Sequence, residues 1–359
     1  MGRAPALPPE DLIATITRPP ASGAARLLGV GAYRPRRRVD NDEVCALLDV
    51  DADWVATRSG IRERRFAAAD ETLVAMSAAA AREALAASGL DAADIGTTLV
   101  ATMSADTAAP QVATRVAHEI GATAGPAMDL GGACAGFCYA LEVAAALVAA
   151  GSAGHVLVVG AERMTDIVDP TDRSTAFIFG DGAGAVVVGP SDEPGIGPVA
   201  WGADGGQCDL IAQSPTFLEA SRSPGPVVAA LRMQGPAVFR WATTRMVPLA
   251  EEALEEAGMK AEQLAAFVPH QANARITDRL AKALELPEHV AVAHDIETSG
   301  NTSAASVPLA MHALLRAGAA APGDHALLLG FGAGLTFAAQ VVCLPPARAQ
   351  TCPATPRGA

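Results

Sequence analysis

The stretch EALAASGLDAADIGTTLVAT, residues 83–102, returns in altered form as EALEEAGMKAEQLAAFVPHQ, residues 252–271. Gly89 then falls on Gly258, a shift of 169 residues. A second pair, AGSAGHVLVVG (150–160) and AAPGDHALLLG (320–330), matches at a shift of 170 residues. Segments that recur in the same order at almost one offset indicate two duplicated halves.

A third pair suggests where the halves differ in length. GDGAGAVVVG (180–189) resembles GFGAGLTFAA (330–339), but the shift is only 150 residues. The first half is therefore predicted to carry about 20 extra residues, around AERMTDIVDPTDRSTAFIF (161–179).

Each half alternates helical and strand-like segments. Residues 72–88 and 247–257 have helical spacing and stop at glycines that fit C-cap positions. Runs such as TTLVA, HVLVVG and HALLLG are short, apolar and partly β-branched, which is typical of strands buried on both faces. The pattern predicts an α/β protein of two layered halves, with a cleft between them as the natural active site.

The division follows from the repeat and the composition. We assign residues 1–25 to a loose N-terminal tail, 26–195 to the first half, 196–345 to the second half and 346–359 to a loose C-terminal tail.

Of the 359 residues, 50% are hydrophobic and 18% are charged, which is ample for a buried core. A net charge of −13 argues against a nucleic-acid-binding surface. With no signal-peptide pattern and no apolar run of about 18 residues, we expect a soluble cytoplasmic protein without membrane association.

Cys134 is the first candidate for chemistry. It lies in GGACAGF, which a shift of 169 places opposite GNTSAAS, so that Cys134 falls on Ser303. A thiol at a helix N-terminus feels the positive end of the helix dipole, which is expected to lower its pKa. The alternative is an inert buried cysteine. Cys138 lies four residues on, but without a second Cys or His pair at zinc-type spacing we expect no metal site.

Two further candidates come from the second half. His270, in FVPHQANARI, follows an apolar strand and is placed to move a proton or donate to an oxyanion. Asn301, in SGNTSAAS, is either a second donor or a helix N-cap. The glycine-rich GFGAGLTF (330–337) is able to offer backbone N–H groups to a negative oxygen.

These segments together resemble one family. DLGGACAGF, VPHQANARI, GNTSAASVP and GFGAGLTF occur in the order and approximate spacing of β-ketoacyl-acyl-carrier-protein (ACP) synthases III. DWVATRSGIRERR (53–65) and DPTDRSTAFIFGDGAG (169–184) are similar too, and the resemblance spans about residues 26–345. It implies a thiolase-like αβαβα fold with internal duplication.

The resemblance also implies an activity. Cys134 would take an acyl group from acyl-CoA as a thioester, and malonyl-ACP would then enter. His270 and Asn301 would stabilise the enolate left when malonyl loses CO₂, and this carbanion would attack the acyl group to give 3-ketoacyl-ACP, CO₂ and CoA. The backbone N–H groups of Cys134 and Ala333 would form the oxyanion hole, and Phe331 would shield the nucleophile.

Substrate contacts carry over in the same way. Trp54, Arg58 and Arg173 match positions that hold CoA in the family, and Asn273 matches one along the pantetheine arm. We expect no cofactor, because CoA and 4′-phosphopantetheine enter as parts of the substrates. As in the family, we expect a homodimer.

The carrier protein and the acyl pocket involve three more positions. Arg240 and Arg275 match basic positions that meet the acidic carrier protein, a local attraction that the net charge does not forbid. Ala109 stands where acetyl-using relatives often have a phenylalanine that closes the partner's acyl pocket. This departure predicts a primer larger than acetyl and fits a starter-unit enzyme of a polyketide pathway as well as a fatty-acid initiator.

Two other functions compete. The first is an acyltransferase of similar type that hands the acyl group of Cys134 to an alcohol or amine without condensation; the presence of both His270 and Asn301 favours condensation. A non-catalytic scaffold of the same fold is disfavoured by the complete Cys/His/Asn set.

Overall fold

The structure, a computed structural model, describes residues 23–347 except 226 and 228. Its strands are β1 (Ala25–Tyr33), β2 (Arg37–Asp40), β3 (Glu63–Phe66), β4 (Thr97–Ala101), β5 (Ala127–Leu130), β6 (Val156–Glu162), β7 (Gly182–Pro190), β8 (Ile196–Ala203), β9 (Ile211–Ser214), β10 (Ala230–Met233), β11 (Ala266–Pro269), β12 (Ala291–Val292), β13 (His325–Gly332) and β14 (Thr336–Cys343). Its α-helices are α1 (Asn41–Cys45), α2 (Ala52–Ser59), α3 (Leu73–Ser88), α4 (Val112–Ile120), α5 (Gly136–Ala149), α6 (Phe217–Arg222), α7 (Gly235–Glu256), α8 (Ala274–Ala283), α9 (Ile296–Ser299) and α10 (Ser306–Ala317).

Two five-stranded sheets share one topology. The first has the order β1-β7-β6-β4-β5, and the second has the order β8-β14-β13-β11-β12. In each sheet the last three strands are parallel and the first two are antiparallel to their neighbours. The duplication predicted from the repeated segments is therefore present in the strand order itself.

Helices cover both sheets and separate them. α3 and α4 pack on the outer face of the first sheet, and α7 and α8 pack on the outer face of the second. α5 and α10 lie between the sheets in a third apolar core shared by both halves. β4 and β6 are buried along their whole length, as their apolar sequences predict. These layers make the αβαβα fold that the resemblance implies.

Helix ends follow local chemistry where the sequence signals were strong. α3 starts after Thr72, whose hydroxyl accepts the backbone N–H of Ala75 at 3.1 Å. It stops at Gly89, whose φ of +73° suits a residue without a side chain. The predicted helix 247–257 is wrong at its start: α7 begins at Gly235, because buried Val238, Ala242 and Met246 continue the helical spacing toward the N-terminus.

The two active-site segments align differently from the prediction. Short 3₁₀ turns, Ala133–Ala135 and Ser303–Ala305, lead into α5 and α10, and each begins on a residue of positive φ, 46° at Ala133 and 47° at Ser303. The shift here is 170 residues, so Cys134 corresponds to Ala304 and not to Ser303. Matching Gly131 to Gly300 was misleading, since Gly300 is the C-cap of α9.

The third repeat pair is also displaced. Gly330, Phe331 and Gly332 belong to β13 and do not form the turn that follows it. Residues 163–181, the 163–181 loop, separate β6 from β7, whereas residues 333–335 separate β13 from β14. The extra residues of the first half therefore lie where they were predicted.

Small residues bring the two halves close together. A Cβ on Gly160 would lie 2.3 Å from the carbonyl oxygen of Ala304, and a Cβ on Gly330 would lie 3.1 Å from Cα of Ala135. Each central strand thus contacts the 3₁₀ turn of the opposite half. This cross-packing places Cys134 beside the second sheet and Ser303 beside the first.

The chain ends are described in part. Of the predicted tails, the structure describes residues 23–25 and 346–347, and the others lie outside the described residues. Gly23 donates to the carbonyl of Ala149, and Pro346 accepts from Val30 at 3.1 Å. Within the described part of the chain, the helices are all too short or too polar to cross a membrane.

Candidate active site

A cavity of about 590 Å³ opens between the halves. Cys134 is a buried part of its lining, and the exposed arginines of the lining mark its mouth: Arg58, Arg173, Arg240 and Arg275. Eleven of the twelve positions singled out from the sequence line it: Trp54, Arg58, Cys134, Arg173, Arg240, His270, Asn273, Arg275, Asn301, Phe331 and Ala333.

Cys134 lies on the 3₁₀ turn before α5 and is 8% exposed. Burial raises the pKa of the Cys134 thiol to about 11, and the charge of Glu162 acts in the same direction. Hydrogen bonds from Ser303 and from the backbone N–H groups of Ala333 and Cys134 lower this pKa without offsetting the burial. The expectation that the helix end lowers the thiol pKa is therefore wrong, because desolvation dominates.

The two N–H groups predicted for the oxyanion hole both point to the sulfur. A Cβ on Gly332 would lie 2.6 Å from Cys134 Cβ and 2.9 Å from Sγ, so the strand end can approach this closely only as glycine. That approach delivers the N–H of Ala333. An acyl oxygen attached to Sγ would meet two donors fixed by the backbone.

His270 follows β11, and its backbone N–H donates to Leu329 at 2.6 Å. Its Nδ1 lies 2.6 Å from Ser306 Oγ, which also accepts from the N–H of Gln271 at 3.4 Å. A Ser306 hydroxyl that donates to Nδ1 places the ring proton on Nε2, and in this tautomer His270 has an N–H to donate to a bound oxygen. Burial lowers the pKa of His270 to about 3, so the ring is neutral near pH 7.

Phe331 packs against this ring. The two ring centroids are 5.2 Å apart and the planes meet at 78°, an edge-to-face contact. Phe331 is 2% exposed and lies on β13 next to Gly332. It thus fixes the histidine plane and lines the cavity near the nucleophile.

Asn301 is held by both its backbone and its side chain. Its Oδ1 accepts the N–H of Ser303 at 2.8 Å, which leaves the Nδ2 hydrogens as donors. Its backbone N–H donates to Ile178 at 2.9 Å, and its carbonyl accepts from Gly180 at 3.0 Å. The 163–181 loop of the first half therefore clamps a candidate catalytic residue of the second.

The mouth carries an aromatic ring with two guanidiniums close to it. Trp54 and Arg58, one turn apart on α2, stack with the guanidinium 5.6 Å from the ring, and Arg173 lies 5.1 Å from the same ring. Phe177 supports the indole edge-to-face at 5.0 Å. An indole and two guanidiniums are suited to hold a purine and its phosphates.

Three other predicted residues lie near this mouth. Asn273 caps α8 by accepting the N–H of Arg275 at 2.9 Å, and its amide donates to the carbonyl of Arg58 at 2.9 Å. Arg275 stacks over Phe239 at 5.6 Å, and Arg240 is exposed. Among the described residues, no carboxylate forms an ion pair with Arg58, Arg173, Arg240 or Arg275. These guanidiniums are free for an anionic ligand.

Ala109 is the exception. It lies on the exposed loop before α4, where its carbonyl accepts from Thr107 at 2.9 Å, and it is not among the residues that line this cavity. Its role was predicted for the pocket of a second subunit, and it stays a prediction.

Sequence reasoning missed two groups of residues. The apolar wall comes from Met103, Phe177, Ile211, Leu231, Met233 and Phe239, which belong to separate segments without a shared motif. The polar support comes from Glu162, Ser303 and Ser306. Ser303 and Ser306 lie in GNTSAAS at spacing i, i+3, which places both side chains on the same face of a helical turn. This spacing is the sequence pattern that could have indicated them.

Comparisons with known proteins agree with this geometry. Residues 128–205 match the family model "3-Oxoacyl-[acyl-carrier-protein (ACP)] synthase III", and residues 254–344 match its C-terminal counterpart. The β-ketoacyl-[acyl-carrier-protein] synthase III of Streptomyces lividans is 51% identical over 328 residues, covering 91% of this chain and 97% of that protein. The mycobacterial β-ketoacyl-[acyl-carrier-protein] synthase III of Mycobacterium avium is 50% identical over 320 residues, covering 89% and 96%.

Solved structures give the same result. The priming β-ketosynthase of the R1128 polyketide biosynthetic pathway matches with a TM-score of 0.90 at 50% identity, over 92% of this chain and 99% of that one. The synthase III of Thermus thermophilus matches with a TM-score of 0.82 at 41% identity, over 90% and 100%. The chain belongs to the β-ketoacyl-[acyl-carrier-protein] synthase III family and is an enzyme of that type.

Proposed function

We propose that the protein condenses an acyl-CoA primer with malonyl-ACP, with loss of CO₂, to give a 3-ketoacyl-ACP. The observation that carries the proposal is that Cys134, His270 and Asn301 converge in one cavity between the halves. The relatives' names describe synthases of 3-oxoacyl chains on a carrier protein, which is the same chemistry.

The first half-reaction is acyl transfer. The Cys134 thiol loses its proton to a base as Sγ attacks the thioester carbonyl, the N–H groups of Cys134 and Ala333 bind the oxygen, and CoA leaves as a thiolate that takes a proton from water. The acyl group is then held on Sγ.

The second half-reaction is the condensation. Malonyl-ACP loses CO₂, and the enolate oxygen receives hydrogen bonds from His270 Nε2 and Asn301 Nδ2. The carbanion attacks the acyl carbonyl, a C–C bond forms, and Cys134 leaves as a thiolate that regains its proton. These steps use no resident cofactor or metal, since the substrates supply CoA and phosphopantetheine.

The mouth would bind the substrates. Adenine stacks on Trp54 once Arg173 swings from the face it now covers, and the phosphates meet Arg58 and Arg173. The acidic carrier protein meets Arg240 and Arg275, and pantetheine passes Asn273. We also propose a homodimer, in which Ala109 of each subunit borders the partner's acyl pocket.

Trp54→Ala is expected to weaken CoA binding without slowing chemistry. Stacking of a base on an aromatic ring is worth about 1–3 kcal/mol, so KM for acyl-CoA should rise about tenfold while kcat stays within about twofold. Steady-state kinetics measure both. Trp201→Ala is the matched control, because Trp201 is exposed and lies outside the cavity. An equal fall in kcat would contradict a pure binding role.

The primer is expected to be larger than acetyl. Alanine at position 109 removes the bulk that a phenylalanine would place in the partner's pocket, so butyryl- and hexanoyl-CoA should turn over at least as fast as acetyl-CoA. Ala109→Phe should restore acetyl preference. Competition assays with the three acyl-CoAs measure the order, and a strict acetyl preference in the unaltered protein would show this expectation to be wrong. The R1128 enzyme is a priming ketosynthase of a polyketide pathway, which supports a starter-unit role.

The competing function is acyl transfer to an alcohol or amine. It needs Cys134 but makes no use of two donors aimed at an enolate. Incubation with acyl-CoA and malonyl-ACP, followed by mass analysis of the carrier protein, separates the two. Condensation gives CO₂ and a carrier product longer by the acyl chain, and unchanged malonyl-ACP would refute the proposal.

A further inference from the structure

A fully buried carboxyl group, Glu162, lies at the end of β6 and takes no part in the steps above. It accepts hydrogen bonds from Ser104 Oγ at 2.5 Å and Thr102 Oγ1 at 3.1 Å. It also accepts from the backbone N–H of Met103 at 3.2 Å. Burying an ionisable group is costly, so a carboxyl group this close to a nucleophile calls for a function.

Ser303 joins this carboxyl group to the nucleophile. Its Oγ donates to Glu162 Oε1 at 3.0 Å, and the same hydroxyl lies near enough to the Cys134 sulfur to lower the pKa of that thiol. Ser303 and Glu162 are both 0% exposed and come from opposite halves. The step from Ser303 Oγ to Glu162 is therefore closed to water, whereas Cys134 lines the cavity.

The hydroxyl of Ser303 has one hydrogen to donate. While that hydrogen points at an ionised Glu162, Ser303 can only accept from the S–H of Cys134. If the thiol proton moves to Ser303 Oγ and the serine hydrogen moves to Glu162, Ser303 donates to the thiolate instead. One negative charge is present before and after, so no charge enters or leaves the buried site.

We propose that Glu162, acting through Ser303, receives the proton of Cys134 when the thiol attacks the acyl-CoA. The proposal rests on the function proposed above. The Sγ–acyl bond forms, the CoA thioester bond breaks, and the proton stays on Glu162 until condensation releases the Cys134 thiolate, which takes it back. Ser303 touches the reacting sulfur, whereas Glu162 is a positioning residue for the proton.

Two further observations agree. Burial raises the pKa of Glu162 to about 7, which makes it a stronger base than an ordinary glutamate. The other titratable groups around this end of β6 are engaged elsewhere: Arg163 with Asp166, Asp181 with Thr165, and the neutral His270 with Ser306.

The test is the pH dependence of Cys134 acylation, followed by quenched-flow and intact mass with a fixed acyl-CoA. In the wild-type protein the rate should rise with pH through about 7, as Glu162 ionises. Glu162→Gln keeps the size of the side chain but takes no proton, and should lower the rate at pH 8 about 10²-fold and remove that rise. Ser303→Ala should do the same, and it provides the result if the glutamine variant fails to fold.

Two controls distinguish a proton path from a structural role. Ser104→Ala removes a bond to Glu162 that is not on the path, so the rise should persist and move to higher pH. Decarboxylation of malonyl-ACP by the Cys134→Ala variant should not show the rise with pH, because no thiol proton moves in that step. If Glu162→Gln acylates at the wild-type rate or faster, this inference is wrong, but the proposed function still stands. That result is expected if Glu162 acts only by repelling the negative charge of a Cys134 thiolate. A wild-type protein that forms no acyl-Cys134 would overturn the proposed function as well.

Discussion

Cys134→Ala is expected to abolish the acyl-enzyme and to lower condensation by about 10⁴-fold or more, because the variant has no atom to carry the acyl group. Intact mass after incubation with acyl-CoA shows the adduct directly. The change removes one buried sulfur, which costs about 1 kcal/mol of stability, so the variant should remain folded. Binding of acyl-CoA should persist.

Cys138→Ala is the matched control for this result. Cys138 lies four residues on, is 1% exposed, and burial raises its pKa to about 12. It does not line the cavity, so its alanine variant should acylate at the wild-type rate. An adduct that survives Cys134→Ala, or vanishes with Cys138→Ala, would show that the nucleophile was assigned wrongly.

His270→Ala is expected to slow decarboxylation of malonyl-ACP about 10²–10³-fold, the usual cost of removing one donor to a developing oxyanion. The cleanest comparison sets Cys134→Ala against the Cys134→Ala/His270→Ala double variant, because neither forms an acyl-enzyme. Release of CO₂ and formation of acetyl-ACP measure the rate. Equal rates in the two proteins would remove His270 from this step.

The pH dependence of the same reaction tests the state of the ring. Burial holds the pKa of His270 at about 3, so the donor is neutral from pH 5 to 9 and the rate in the Cys134→Ala background should show no inflection near 6.5. His289→Ala serves as the control, since that side chain is exposed and bonds only to a backbone carbonyl among the described residues. An inflection of the rate near pH 6.5, in either direction, would mean that the ring is solvated and titrates.

The architecture could be predicted from the sequence because the duplication repeats one helix–strand pattern in both halves. A helix that ends at glycine and a buried strand after it appear twice, and the strand orders of the two sheets agree with that repetition. Cys134, His270 and Asn301 were accessible because each follows a strand or opens a helix at the contact of the halves. The local sequence patterns and the predicted topology both placed these residues where the two halves meet.

The misplaced register has a physical reason. Gly131 and Gly300 look equivalent in a run of small residues, but one ends a helix and the other does not. Only the backbone shows that Ala133 and Ser303 share a left-handed turn. The predicted direction of the Cys134 pKa shift was wrong for a similar reason. The sequence indicates a helix end, but it does not show how completely the folded site excludes water.

Glu162 was beyond the reach of sequence patterns. It ends a strand whose other residues are apolar, and nothing nearby in sequence indicates that Ser104 and Ser303 converge on it from 58 and 141 residues away. A buried carboxyl group of this kind becomes visible only when the halves are brought together.

The 163–181 loop has a consequence for protein engineering. It carries Arg173 and Phe177 to the mouth, and its last residues pair with the backbone of Asn301 deep in the cavity. The same loop therefore affects both the binding of CoA at the mouth and the position of the Asn301 amide. A chimera that carries this loop from a relative is expected to change CoA binding and the position of Asn301 together. Exchange of the loop cannot alter one of these properties without the other.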